Sequence, residues 1–234
     1  MDVELGKREL TGARMKRIDG LPLPQAILRM AIVTFVENGY EKASMDDVAA
    51  RASTTKRTVY AHFGNKEELF RQALAMAVQM FQSEMPKLVN TENPAEQLED
   101  FAVAFAGLST WKGAVRMQRV VMSEAERFDD LALMLHRDII EHAERMIADY
   151  LQAVDHQRHA STDTDPADWY RALAKLFLNM TTGEPRFATL LQALQPFPEH
   201  PLAGTTPDIH RIAIRQAVAI FLRGSGIGRP KQES

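Results

Sequence analysis

The strongest chemical signal in this sequence is a short cluster of hydrogen-bond donors at Lys56, Arg57 and Tyr60. Residues three or four apart share a face of a helix, so a helix through this segment presents the three side chains together. A guanidinium fork matches guanine O6 and N7 in the DNA major groove. We therefore interpret Arg57 as a base-reading residue, Lys56 as a contact to a base or a phosphate, and Tyr60 as a phosphate contact, with a partly packed ring as the alternative for Tyr60.

Further candidate contacts flank this cluster. Thr54 and Thr55 precede it, and their methyl and hydroxyl groups suit a thymine methyl or a phosphate. Ser44 and Lys66 stand at predicted helix starts, where free backbone N–H groups attract anions. His62 suits either a phosphate or the covering of its aromatic neighbour. The predicted DNA-binding residues are Ser44, Thr54, Thr55, Lys56, Arg57, Tyr60, His62 and Lys66.

Local signals for helix starts and ends surround the cluster. Glycine takes the left-handed conformation without a Cβ clash, so Gly39 and Gly64 mark predicted helix ends. Side-chain oxygens that accept a hydrogen bond from the first turn predict three N-caps, at Ser44, Thr55 and Asn65. The resulting order is helix, capped short helix, tight turn at Ser53-Thr54, second short helix and capped long helix. This is the order of a helix-turn-helix, whose second short helix enters a DNA groove.

Charge is distributed unevenly along the chain. The formal net charge is −3, yet the segment from Arg51 to Lys66 holds four basic residues and no aspartate or glutamate. Between Lys7 and Arg17 there are five basic residues against one glutamate. A local basic face on an acidic body is typical of a protein that touches phosphates on one side only, whereas the alternative is that these cations are merely solvated. Residues 1–20 are predicted to be a flexible basic arm, and contact with DNA is an alternative to plain disorder.

Several function classes are excluded or disfavoured by what the sequence contains. The chain has no cysteine, which excludes disulfides, thiolate metal sites and cysteine nucleophiles. Neither a signal-peptide pattern nor an apolar run of ~20 residues is present, so we expect a cytoplasmic protein without a membrane span. His136-Arg137-Asp138 lacks the glycine-rich loop of a kinase, and the glycines between 224 and 228 precede no helix. We predict no enzyme, no cofactor and no metal.

The segment from Pro24 to Leu69 resembles the DNA-binding domain of the TetR family of one-component regulators. It departs from the family pattern at Ser53, where glycine is usual, and at Arg57, where a small residue is frequent. The resemblance implies phosphate contacts at Ser44, Tyr60, His62 and Lys66. The shared residues are Phe35, Gly39-Tyr40, Ser44, Val48-Ala49, Thr55-Lys56, Thr58-Val59-Tyr60, His62-Phe63 and Asn65-Lys66-Glu67-Glu68-Leu69.

Helical periodicity continues through the rest of the chain. The pattern predicts an all-α fold of about nine helices, in which a three-helix helix-turn-helix domain at 21–70 precedes a regulatory and dimerisation domain at 71–224. A flexible tail is predicted at 225–234. The helix predicted over 166–195 contains Gly183 and Pro185, so a kink or break is expected there.

Residues 115–128 resemble the C-terminal regulatory domain of the AefR-like subgroup of the TetR family. This resemblance implies a homodimer formed by helices near 166–195 and 207–223. Two-fold symmetric readers bind palindromic operators whose half-sites lie about 34–36 Å apart, or a multiple of that distance. Repression is the usual outcome in the family.

The same resemblance implies a small-molecule effector that changes the spacing of the two recognition helices. We expect an apolar or amphipathic effector, although methionines and aromatics at helical spacing are also typical of an ordinary core. Regulation by a protein partner, with no small-molecule effector, is the alternative. The predicted pocket residues are Phe101, Phe105, Trp111, Met117, Gln118, Met122, Phe177, Asn179 and Met180.

Overall fold

The computed structural model describes residues 20–158, 167–200 and 211–227, apart from the side chains at 156–158. Within these ranges the chain is helical and contains no strand, and an isolated β-bridge joins Trp111 to Phe197. The all-α prediction is therefore confirmed. The predicted arm up to residue 19, the start of the helix predicted near 207–223 and the tail beyond 227 lie outside the described residues.

The chain divides into two units, one up to Met76 and one from Ala77. The helices that begin in the first unit are α1 (Leu23–Lys42), α2 (Met45–Arg51), α3 (Lys56–Phe63) and α4 (Lys66–Glu84). Gly39 has φ 74° and breaks the helical geometry of α1, as predicted, although helical hydrogen bonding continues to Lys42. The three short connections follow from the capping signals of the sequence.

All three predicted N-caps of the first unit are present. Ser44 Oγ accepts a hydrogen bond from the Asp47 N–H at 3.1 Å. Thr55 Oγ1 accepts from the Thr58 N–H at 3.2 Å, and Asn65 Oδ1 accepts from the Glu68 N–H at 2.8 Å. Each cap satisfies a backbone donor that has no partner inside its helix, so the starts of α2, α3 and α4 are fixed by local chemistry.

The core of the first unit explains how α3 is oriented. Phe35, Tyr40 and Phe70 form a cluster of rings whose centroids lie 4.8 to 6.0 Å apart. Val59 and Phe63 are buried, which fastens one side of α3 to this unit. The other side of α3 consequently faces outward.

The second unit contains the remaining helices, several of which run into one another. α7 and α8 are joined by a π-helical segment at His136–Glu141, and α9 and α10 by another at Asn179–Gly183. The expected kink near Gly183 is thus a π-helical segment, and α10 ends at Leu190 instead of continuing to 195. The described residues therefore form nine continuous helical stretches, as the sequence predicts. The helices are α5 (Pro94–Thr110), α6 (Lys112–Ser123), α7 (Asp129–Leu135), α8 (His142–Arg158), α9 (Ala167–Leu178), α10 (Glu184–Leu190) and α11 (Arg211–Ser225).

Helix α5 is the centre of the second unit. Leu98, Phe101 and Phe105 on it are fully buried, and the last two stack with centroids 6.0 Å apart. Phe177 of α9 meets Phe221 of α11 edge-on at 5.1 Å. In the described part of the chain, no helix combines the length and apolarity needed to cross a membrane.

Candidate DNA-binding surface

The outer face of α3 carries the donor cluster that the sequence predicts. Lys56, Arg57 and His62 are exposed, and Tyr60 keeps 43% of its surface accessible. The burial of Val59 and Phe63 on the opposite side forces this arrangement, because a two-turn helix has no other way to bury both. The side chains needed for a groove contact therefore share one exposed surface.

The turn between α2 and α3 places a non-glycine residue in the left-handed region. Ser53 has φ 50°, and the turn is closed by a hydrogen bond from the Thr54 N–H to the Ala49 carbonyl at 2.9 Å. An L-residue is disfavoured at positive φ by contact between its Cβ and the backbone. The departure from the family pattern at Ser53 thus falls at a position whose geometry favours glycine, and the turn keeps that geometry.

Lys56 is held by an acidic residue of α2. Its Nζ lies 2.7 Å from Asp46 Oδ2, and both side chains are more than half exposed. The hydrogen bond to Asp46 raises the pKa of Lys56 above its ordinary value. A phosphate or base that binds Lys56 must compete with this carboxylate.

In the folded chain, acidic residues from outside the segment lie next to the basic residues between Arg51 and Lys66. The sequence shows no acid inside the segment, but Glu37 pairs with Arg51 and Asp46 pairs with Lys56. Both acids belong to earlier helices, so a count along the chain overlooks them. The surface is less positive than its sequence implies.

Arg57 differs from its basic neighbours. Within the described ranges, no side chain or carbonyl accepts a hydrogen bond from its guanidinium, and the residue is exposed. Its donors are therefore available without loss of an existing pair. This supports the interpretation of Arg57 as the residue that reads a base edge.

Lys66 has a structural contact as well as a position at the start of α4. Its Nζ donates to the Glu41 carbonyl at 3.0 Å and lies 4.5 Å from the centroid of the Tyr40 ring. The residue is half-buried. Replacement of Lys66 would consequently disturb the link between α1 and α4 along with any phosphate contact.

The hydroxyls predicted to meet DNA are already used in capping. Besides its cap, Ser44 Oγ donates to Asp47 Oδ2 at 2.7 Å, and Thr55 Oγ1 lies 2.9 Å from Thr58 Oγ1. Asp46 and Asp47 occupy the first turn of α2, where their charges oppose an approaching phosphate. Thr54 is half-buried in the turn. These positions are weaker candidates than the outer face of α3.

The predicted pocket residues do not form one group in the single chain. Phe101, Phe105 and Phe177 are fully buried core residues, Met117 and Gln118 are buried, and Trp111 is half-buried. The three remaining residues face outward: Met122, Asn179 and Met180. Sequence reasoning missed Arg186, whose Nε donates to Gln118 Oε1 at 2.8 Å. The pair is 68 positions apart, so no local pattern could reveal it.

Several large apolar side chains are exposed on the last helices of the second unit, and we call this set the apolar stripe. Leu176 and Met180, like Phe187 and Leu191, are four positions apart, which places each pair on one side of its helix. Grouped exposed apolar side chains are typical of a surface that another protein covers. Its members are Leu176, Met180, Phe187, Leu191, Ile212 and Ile220.

Two family models match this chain. Residues 27–73 match bacterial regulatory proteins of the tetR family. Residues 96–224, more than half of the chain, match the AefR-like transcriptional repressor, C-terminal domain.

Known relatives and solved structures agree with these matches. The chain is 43% identical over 49 residues to the DNA-binding transcriptional repressor TetR of Mycobacteroides abscessus, over 21% of this chain and 26% of that protein. It therefore spans about a quarter of that relative's length. Flavonoid-responsive Regulator FrrA superposes with TM-score 0.66 at 24% identity, over 86% of this chain and 96% of that one. A TetR family transcriptional regulator from Pseudomonas syringae superposes with TM-score 0.58 at 22% identity, over 85% and 94%. At these identities the superpositions show the fold.

Proposed function

This chain belongs to the TetR family of bacterial regulators, with an AefR-like C-terminal domain, and we propose that it represses transcription by binding a palindromic operator as a homodimer. Members of the family are non-enzymatic DNA-binding regulators, and this chain is one of them. The observation that carries the proposal is the exposed face of α3, which presents Arg57 without a competing acceptor among the described residues.

In this proposal the residues of α3 divide their tasks. Arg57 reads a guanine edge in the major groove, because its two terminal nitrogens match O6 and N7. Lys56 leaves Asp46 to bind a phosphate or a base, and Tyr60, His62 and Lys66 contact phosphates. Ser44, Thr54 and Thr55 lie at the margin of the surface, where the caps of Ser44 and Thr55 and the turn at Thr54 orient the backbone toward DNA.

Selection of bound sequences from a random DNA pool with the purified full chain tests this proposal. We expect two inverted half-sites, and an affinity that falls steeply as salt rises because phosphate binding releases counterions. A selected pool without inverted symmetry would contradict a dimeric reader. An affinity independent of salt would contradict the phosphate contacts.

We propose that the apolar stripe is the contact with a second copy of the chain. It lies within the helices that the family resemblance assigns to dimerisation, near 166–195 and 207–223. Dimerisation gives the second recognition helix a high effective concentration at its half-site, which a single two-turn helix lacks.

A charge placed on the stripe tests the dimer. Phe187, which is 61% exposed, would become Asp, and the matched control is Leu133→Asp on α7, where 67% of the side chain is exposed. We expect Phe187→Asp to give a monomer in sedimentation and to lose about 100-fold in operator affinity, whereas Leu133→Asp remains a dimer. A dimer that survives Phe187→Asp would place the interface elsewhere.

We also propose that a small apolar or amphipathic molecule, bound in the second unit, releases the operator. An effector moves a switch only by its difference in affinity between the two states, and a shift from 1:99 to 99:1 takes about 10⁴-fold. A bound effector raises the melting temperature as its concentration rises. If no compound in a broad metabolite screen raises the melting temperature, the proposed small-molecule effector is contradicted and regulation by a protein partner is favoured.

A further inference from the structure

The guanidinium of Arg186 in α10 is a cation that has no counter-charge among the described residues. The residue is half-buried, and burial lowers the pKa of its guanidinium. No carboxylate among the described residues offsets this effect. Arg211 and Arg215 of the same unit, by contrast, both pair with Glu99. A cation that is partly withdrawn from water and has no counter-charge destabilises the folded protein, and an anionic ligand would remove this cost.

One edge of the Arg186 guanidinium is fixed by a buried amide. Its Nε donates to Gln118 Oε1 at 2.8 Å. Gln118 is 8% exposed, and its Nε2 donates to the Ser109 carbonyl at 2.9 Å and to the Ala114 carbonyl at 3.2 Å. Both amide donors are therefore occupied by α5 and α6, so the amide oxygen must face Arg186. This arrangement sets the direction of the guanidinium.

The other end of the guanidinium stays open. Within the described ranges, neither Nη1 nor Nη2 donates a hydrogen bond to a protein acceptor, and both nitrogens keep some contact with solvent. These two nitrogens present parallel N–H bonds that match the two oxygens of a carboxylate. The neighbouring guanidinium of Arg119 is already committed to the carbonyls of Thr189 and Leu190. One free guanidinium suits a planar anion of single charge better than a phosphate dianion.

We propose that Arg186 binds the carboxylate of a small organic acid and that Gln118 positions it for this contact. The body of the acid is apolar, because α5 and α6, which hold Gln118, bury mainly apolar side chains. This inference rests on the proposed function, since it names the charge class of the molecule that releases the operator. It also narrows the expected effector from apolar or amphipathic to a weak organic acid in its ionised form.

Matched acid and amide probes on the full chain test the proposal. The probes are octanoate with octanamide and naphthoate with naphthamide, which differ in charge and little in shape. We expect at least one acid to raise the melting temperature progressively with concentration and its amide to leave it unchanged. If no acid exceeds its amide, the proposal is overturned.

Variants then assign the effect to Arg186. Arg186→Gln removes the charge and should weaken binding of the effective acid about tenfold or more. The matched control, Arg145→Gln, removes a guanidinium from the exposed side of α8 and should leave acid binding unchanged. Arg186→Lys keeps the charge but loses the paired donors, so it should bind the acid with intermediate affinity. A purely structural Arg186 would instead give Arg186→Gln a lower melting temperature without probe and an unchanged difference between acid and amide.

Operator binding separates this proposal from the one it rests on. Without acid, Arg186→Gln should bind the selected operator as the unchanged protein does, and the effective acid should release only the unchanged protein. If the operator is bound but no acid releases it, the organic-acid proposal fails while DNA binding stands. If no operator is found, the proposed function fails whatever the acids do to the melting temperature.

Discussion

Two ion-paired sites, one in each unit of this protein, differ in how far they are exposed to water. On the outer face of the first unit, Lys56 and Asp46 are both more than half exposed, so water and salt can replace either partner. In the second unit, Glu99 keeps only 13% of its side chain accessible and accepts hydrogen bonds from Arg215 at 2.9 and 3.0 Å and from Arg211 at 3.3 Å. The first pair is exchangeable, whereas the second ties α11 to α5.

The same contrast separates Arg57 from Arg186, neither of which pairs with a carboxylate among the described residues. Arg57 is exposed, so its charge is solvated in the free protein. Arg186 is half-buried and held by an amide, so its charge is already partly desolvated. An exposed cation favours a contact whose strength varies with salt, and a desolvated one favours a small ligand that fits.

The largest expected effect is that of Arg57→Ala on sequence preference. Loss of a bidentate guanine contact should lower operator affinity by about 1–3 kcal/mol and change nonspecific affinity much less. Competition between operator and random DNA in a binding assay measures the two separately. His62→Ala on the same face, assigned to phosphate, is the control and should lower both affinities in similar proportion. If Arg57→Ala lowers the affinities for operator and for random DNA by the same factor, Arg57 does not contact a base edge.

Glu99→Gln should have the next largest effect, on stability. The substitution leaves Arg215 without its carboxylate and Arg211 with only the more distant one of Asp100, and we expect the melting temperature to fall by about 3–6 °C near neutral pH. The neighbouring Asp100→Asn is the control, because Asp100 is exposed and lies 3.7 Å from Arg211. A loss for Asp100→Asn as large as that for Glu99→Gln would remove the distinction between exchangeable and structural pairs.

The effect of Glu99 should also depend on pH. Hydrogen bonding to Arg215 lowers the pKa of Glu99 below its ordinary value of 4.5. A lowered folded pKa contributes stability that is complete above the unfolded pKa and is lost as pH falls through the folded pKa. The difference in melting temperature between the unchanged protein and Glu99→Gln should therefore shrink in acid. A difference that stays constant down to about pH 3 would contradict the assigned pair.

Ser53→Gly should have a smaller, stabilising effect. The left-handed conformation at φ 50° disfavours a Cβ, and the greater freedom of glycine in the unfolded chain offsets part of the gain. We expect the melting temperature to rise by about 1–4 °C. Ser53→Ala retains the Cβ and should not stabilise. A lower melting temperature for Ser53→Gly would show that the side chain of Ser53 stabilises the turn by more than the backbone strain costs.

Local chemistry decides how much of the structure could be predicted from the sequence. The caps at Ser44, Thr55 and Asn65 act over three residues, and the burial of Val59 and Phe63 follows from helical spacing, so the exposed outer face of α3 could be predicted from the sequence. Pairs between residues far apart in the chain could not be predicted in this way. Glu99 meets Arg215 across 116 positions. The π-helical segments were visible only as a break, because periodicity does not show which hydrogen bonds replace the regular ones.

The pocket prediction shows the same limit from the other side. Apolar residues at helical spacing indicate a buried helix face, but they do not distinguish a packed core from a cavity wall. Phe101 and Phe105 stack on each other, while Met122 and Met180 keep 60% and 45% of their surface accessible. Among the predicted pocket residues, Gln118 is the buried polar one that contacts a charged side chain. Its partner Arg186 is 68 positions away and could be found only from the structure.

The smallest expected effect, that of Asp46→Asn, bears most directly on the exchangeable pair. If DNA takes Lys56 away from Asp46, neutralising the acid should raise affinity for all DNA roughly two- to fivefold, because the competitor and a charge that repels phosphate are both removed. Lys56→Met should lower DNA affinity. When Asp46→Asn is added to Lys56→Met, the affinity should rise only by the amount that comes from reduced repulsion of phosphate. Asp47→Asn in the same turn controls for that repulsion. If Asp46→Asn weakens binding instead, the carboxylate positions Lys56 in the complex, and the exposed pair is structural after all.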